Sequence, residues 1–183
     1  TRTLFIENEG GDSLFWDMSL SINKIAISTT YSMSNFVDSL EYYDYEVVDI
    51  DINSLQSIDD LNEISVYFVD ESLSGSTEQR GIVNSWIENG GTAVLMDRYG
   101  NDSDIVEILS GSDISFSSTN LNTSWCNTSY FYESSVFTED LETYNITEAS
   151  GRVYANGENA TAIIMDCNNS NSNYAVSGSL GYE

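Results

Sequence analysis

The chain of 183 residues has no histidine, no proline, two cysteines and five basic residues. Without histidine, Ser-His-Asp and Cys-His nucleophile systems are excluded in their usual form. So are two-histidine zinc motifs and the two-histidine-one-carboxylate iron site. Lys24 is the only lysine and sits in Asn-Lys-Ile, so there is no Gly-Lys-Ser/Thr phosphate loop. The four arginines are dispersed and build no basic face, which excludes nucleic acid as a partner. No apolar run reaches the roughly 18–20 residues needed to span a bilayer. No signal peptide is visible, and a start at Thr1 is what a processed or trimmed chain would show.

What the chain has in excess is acid. Thirty Asp and Glu give a formal net charge of −25. Such a surface stays soluble, suits a salty medium that screens its self-repulsion, and can collect calcium or other hard cations. With 40% hydrophobic and 12% aromatic residues the chain can nevertheless bury a core.

Cys126 and Cys167 form no C-x-x-C pair. One disulfide between them would close a loop of about 40 residues, worth roughly 4 kcal/mol; the alternative is two buried thiols. Glycosylation sequons favour the disulfide. They occur at Asn101, Asn122, Asn127, Asn145, Asn159 and Asn168, whereas the first hundred residues hold seven asparagines and no sequon. Chance alone would supply about four in so Asn-, Ser- and Thr-rich a chain. Their segregation around both cysteines is the stronger argument, and it predicts an extracellular, cell-surface glycoprotein carrying N-linked glycans.

Leu14, Trp16, Met18, Leu20 and Ile22 alternate with polar residues, as in a half-buried strand. Residues 24–118 then alternate strand and helix. Strands are expected at Lys24–Ser28, Tyr45–Ile52, Ile64–Val69, Thr92–Met96 and Ile114–Ser118. Met33, Phe36, Val37 and Leu40 form one helical stripe, and Ile82, Val83, Trp86 and Ile87 another, opened by the capping-box spacing Ser76–Gln79 and stopped at Gly90-Gly91. A short helix at Ile105–Leu109 is closed by Gly111. This order implies an α/β fold: a mainly parallel, flavodoxin-like sheet with helices on both faces. It is flanked by an N-terminal β extension (residues 1–23) and a β-rich part (residues 119–183). In that part, residues 119–135 read as a loop, Asn156-Gly157 as a hairpin turn joining Arg152–Ala155 to Ala160–Cys167, Asn168–Asn173 as a polar loop and Tyr174–Tyr182 as a last strand.

The strand Ile64–Val69, the helix with Glu78 and Trp86, the helix end Glu88-Asn-Gly-Gly91 and the strand Thr92–Met96 together resemble the class I glutamine amidotransferase-like group, in the flavodoxin-like form found in secreted prokaryotic proteins. The Glu133–Asn145 and Ala175–Tyr182 segments are similar to it as well, and the chain ends where such domains continue with another strand. Active members carry a nucleophilic cysteine on the tight turn after this strand. Matching Gly100 to the glycine of that turn puts Arg98 in the nucleophile's place. The resemblance therefore implies a non-catalytic member.

Carboxyl ends of the strands are where open α/β sheets bind ligands. They supply Ser28, Thr29, Thr30 and Ser32, then Asp70, Glu71 and Ser72, then Asp97, Arg98 and Tyr99, with Asp70, Glu71 and Asp97 a candidate polar-ligand or divalent-cation site. Asp102 and Asp104 are expected to cap a helix, and the run Tyr42-Tyr43-Asp44-Tyr45 offers aromatics for a carbohydrate or partner surface. Three functions follow. The first is a non-enzymatic, cofactor-free structural subunit of a surface layer, sheath or filament, forming a homo-oligomer or polymer through β-strand addition at Leu14–Ile22. The second is a monomeric secreted ligand- or cation-binding domain. The third is an FMN-binding electron carrier using the hydroxyl-rich loop Ser28–Ser34.

Overall fold

A computed structural model describes residues 24–96, 103–117, 130–131, 152–166 and 169–178. Strands β1 (Lys24–Ser28), β2 (Glu46–Asp49), β3 (Val66–Asp70) and β4 (Thr92–Met96) form a four-stranded parallel sheet in the order β2-β1-β3-β4. Helix α1 (Ser34–Tyr42) links β1 to β2, and α2 (Thr77–Glu88) links β3 to β4. A third helix, α3 (Ser103–Ile108), follows β4.

Neighbouring residues on a strand point to opposite faces, and β3 shows which helix covers which. The ring of Tyr67 lies edge-on to Trp86 of α2, with centroids 6.4 Å apart, while Phe68 meets Phe36 of α1 at 5.1 Å. Helices therefore cover both faces, as expected. The core gathers on the α2 side: Ala26, Tyr67 and Val69 from the sheet, Val83 and Trp86 from α2, and Ile108 from α3. Ile52 and Leu61 complete it from two 3₁₀ turns, Ile52–Ser54 and Ile58–Leu61, and Leu55 from the extended stretch after the first. The expected strand over residues 45–52 is shorter because the Asp51 carboxylate accepts the Asn53 N–H at 2.8 Å and turns the chain. On the α1 side the stripe Met33, Phe36, Val37 and Leu40 faces inward but is only half-buried.

Helix α2 starts as its sequence specifies. Ser76 Oγ accepts the Gln79 N–H, and Gln79 Oε1 accepts the Ser76 N–H at 2.8 Å. It stops at Gly90, in the left-handed region at φ 98°. Gly91 is pressed so closely against the Trp86 ring that a Cβ there would overlap it. Lys24 bridges Glu46 at 3.2 Å and Glu63 at 3.3 Å, tying the start of β1 to β2 and to the turn before β3. Its pKa is raised, first by the hydrogen bond to Glu46.

The second sheet is antiparallel, with strands β5 (Ile114–Ser117), β6 (Tyr130–Phe131), β7 (Arg152–Ala155), β8 (Ala160–Asp166) and β9 (Asn169–Gly178) in the order β5-β7-β9-β8-β6. Three expectations are corrected here. First, β5 does not extend the parallel sheet; it pairs with β7, Ile114 opposite Ala155. Its Ile-Ser-Phe-Ser alternation is that of a strand with one wet face, not of a strand buried on both. Second, β7 and β8 form no hairpin ladder, because β9 lies between them. Asp113 holds their connection instead, its carbonyl accepting the Asn156 N–H at 2.7 Å and its carboxylate the Asn159 N–H at 3.1 Å. A side chain at Gly157 would strike that carboxylate. Third, Asn169–Asn173 is strand rather than loop, and Tyr130–Phe131 lies in a strand within the expected 119–135 loop. Among the described residues no helix is long and apolar enough to cross a membrane.

Candidate functional site

The strand order β2-β1-β3-β4 reverses direction between β1 and β3, and such a switch point opens a crevice beyond the carboxyl ends of the two strands. Thr29 and Thr30 follow β1 there. Asp70 ends β3, 7% exposed, and Ser72 follows it. One oxygen of the Asp70 carboxylate accepts the Thr29 hydroxyl. The other accepts the Ser72 hydroxyl and, at 2.8 Å, the Ser72 N–H. Each hydroxyl that donates to Asp70 also accepts a backbone N–H: Thr29 Oγ1 from Tyr31 at 3.0 Å, and Ser72 Oγ from Thr30 at 2.8 Å. The network is closed. It laces the loop after β1 to the loop after β3, and it engages the Thr30 and Tyr31 amides that a phosphate-binding loop would turn outward.

Below it, Ser28 is fully buried and its Oγ accepts the Ile52 N–H at 2.9 Å. Tyr67 donates to the Ile50 carbonyl at 2.9 Å. Burial drives the Tyr67 phenol well above its ordinary pKa, against a hydrogen bond from Ser28 that pulls the other way. The Thr29 and Ser72 hydroxyls spend their protons on the Asp70 carboxylate and their lone pairs on backbone N–H groups.

The predicted Asp70–Glu71–Asp97 site is only partly on view. Asp70 is at the switch point, and Glu71 starts a 3₁₀ turn, Glu71–Leu73. The register pairs Asp70 with Met96, and Asp97 lies outside the described residues. Among the described residues no three His, Cys, Asp or Glu side chains gather as a cation set. Also outside them lie Leu14, Trp16, Met18, Leu20 and Ile22, both cysteines, and the sequons Asn101, Asn122, Asn127, Asn145 and Asn168. Asn159 is described, exposed on the β7–β8 turn. Tyr42 and Tyr43 are exposed at the end of α1, stacked edge-to-face at 5.2 Å, so they are surface groups and not core.

Arg80 was not anticipated. It is 5% exposed on α2 and donates Nε to Glu107 of α3 at 2.7 Å, one terminal nitrogen to the Gly75 carbonyl at 2.6 Å and the other to Thr77 Oγ1 at 3.1 Å. Its place three residues before Val83, on the buried face of the helix, is the signal that could have found it.

No protein-family model matches the chain, and no curated protein matches it by sequence. Its fold is similar to that of a solved structure from Thermoplasma acidophilum, described as a "putative GMP synthase" subunit, with a TM-score of 0.53 at 10% identity, over 86% of this chain and 78% of that one. The likeness establishes a flavodoxin-like α/β fold and nothing about chemistry.

Proposed function

We propose that this chain is a non-enzymatic domain with a glutamine amidotransferase-like fold, part of an extracellular, N-glycosylated surface protein, and that it is a structural building block which assembles with copies of itself into a layer, sheath or filament. The observation that carries the non-enzymatic reading is the closed network at the switch point. Where an α/β enzyme holds out reacting groups, Asp70, Thr29 and Ser72 satisfy one another and staple two loops. Engagement of the Thr30 and Tyr31 amides argues against an FMN phosphate there.

Support for assembly comes from exposed pairing capacity. Among the described residues β2 and β4 are the edges of the parallel sheet, and β5 and β6 those of the antiparallel one. The alternating pattern Leu14–Ile22 supplies a strand that could be added to such an edge. The sequons and the two cysteines support the extracellular setting.

Negative-stain electron microscopy of native, unconcentrated material tests this reading. Filaments, tubes or lattices are expected. Dispersed particles of single-domain size would overturn the assembly, and ammonia released from glutamine by the purified chain would overturn the non-enzymatic assignment.

A further inference from the structure

Six sequons in so Asn- and Thr-rich a chain do not identify an acceptor by pattern alone; placement does. Asn159 is exposed on the turn between β7 and β8. Its backbone is held, the N–H donating to Asp113 at 3.1 Å, while its side-chain amide makes no hydrogen bond among the described residues. The asparagine three residues earlier is the opposite case: Asn156 Nδ2 donates to Ser115 Oγ at 2.6 Å and belongs to no sequon. The remaining sequon positions, Ala160 and Thr161, are the first residues of β8, opposite Gly178 and Ser177. The acceptor itself thus lies just outside the ladder that its two neighbours begin, and a group attached to the Asn159 side chain displaces no described contact.

We infer that Asn159 is an N-glycan attachment site, fixed in place by Asp113 and accessible to a transferase. The inference rests on the extracellular reading above. The donor would be a polyprenyl-phosphate-linked oligosaccharide. Asn159 Nδ2 forms a bond to the anomeric carbon and gives up one proton, and the bond from that carbon to the phosphate oxygen breaks, the polyprenyl phosphate leaving with the electron pair.

The test is peptide mapping of the full chain from the organism that makes it. Cleavage after Glu158 and before Asp166 releases residues 159–165 with the acceptor at the first position. The expected result is this peptide shifted by an oligosaccharide mass, with fragment ions placing the sugar on Asn159. The variant Asn159→Gln should lose that mass while its circular dichroism stays unchanged. A bare 159–165 peptide beside sugar on the other sequon peptides would overturn the inference and leave the extracellular reading standing. Sugar on none of the six would overturn both.

Discussion

The two faces of the parallel sheet are built to different standards. On the α2 face, Ala26, Tyr67, Val69, Val83, Ile52 and Leu61 are completely sealed, and α3 adds Ile108. On the other face α1 has no fully buried residue, and Phe36 and Phe68 meet while half-exposed. Hydrophobic stabilisation scales with apolar area removed from water. The first face therefore carries the global stability, and the second holds a helix that can open locally at lower cost. Folding and surface function are thereby separated: α1, with Tyr42 and Tyr43 at its end, can respond to a neighbour without disturbing the core.

Substitutions at equivalent aromatic contacts should break or uphold this contrast most clearly. Trp86→Ala should cost about 3–5 kcal/mol in urea unfolding, and Phe36→Ala about half that or less because its ring is already partly hydrated. Equal losses would mean the faces are equivalent. Next, Arg80→Met should cost about 2 kcal/mol by removing charged hydrogen bonds to Gly75, Thr77 and Glu107. The loss should show in hydrogen exchange at α3 and not at α1. Asp70→Asn should cost about 1.5 kcal/mol, since it weakens charge-assisted bonds to Thr29 and Ser72. Here exchange should quicken in the loop after β1 and in α1, leaving α2 protected; uniform exchange in both variants would defeat the comparison.

The smallest effect concerns pH. Asp60 accepts N–H bonds from Gln56 and Ser57, in that order of importance, which hold its carboxyl below the usual carboxylate range. A folded-state pKa below the unfolded one gives stability that is present above the unfolded pKa and lost as pH falls through the folded one. Asp60→Asn should therefore lower the melting temperature slightly at neutral pH and leave the acid end almost untouched, flattening the acid-side decline. A loss confined to acid pH would contradict it.

Much of the parallel layer was legible because each of its devices is local. Lys24–Ser28 and Thr92–Met96 are strands to the residue, Ser76 and Gln79 make their capping box, and Gly90 ends α2. Residues 52–61 were not, since Ile52 and Leu61 enter the core from 3₁₀ turns and Leu55 from the link between them, a spacing with neither the period of a helix nor that of a strand. In the antiparallel sheet the existence of β7 and β8 was visible but not their neighbours: periodicity reports which face a residue takes, never which strand lies alongside. Asn169–Asn173 looked like a loop because one wet face lets a strand be polar. At the switch point Thr29, Asp70 and Ser72 could each be picked out by their place after an apolar run, whereas the hydrogen bonds that close them on one another could not, because Thr29 comes from a loop about forty residues away.

The strand order of the antiparallel sheet also sets a timetable. Its central strand, β9, is the last of the five to leave the ribosome, whereas the described strands of the parallel sheet end at Met96 and the last helix packed into their core ends at Ile108. During synthesis the parallel layer can close while β7 and β8 still wait, each without the partner that will lie between them. A chain halted before residue 169 would present both waiting edges at once, and these are the surfaces through which incomplete β-sheets aggregate.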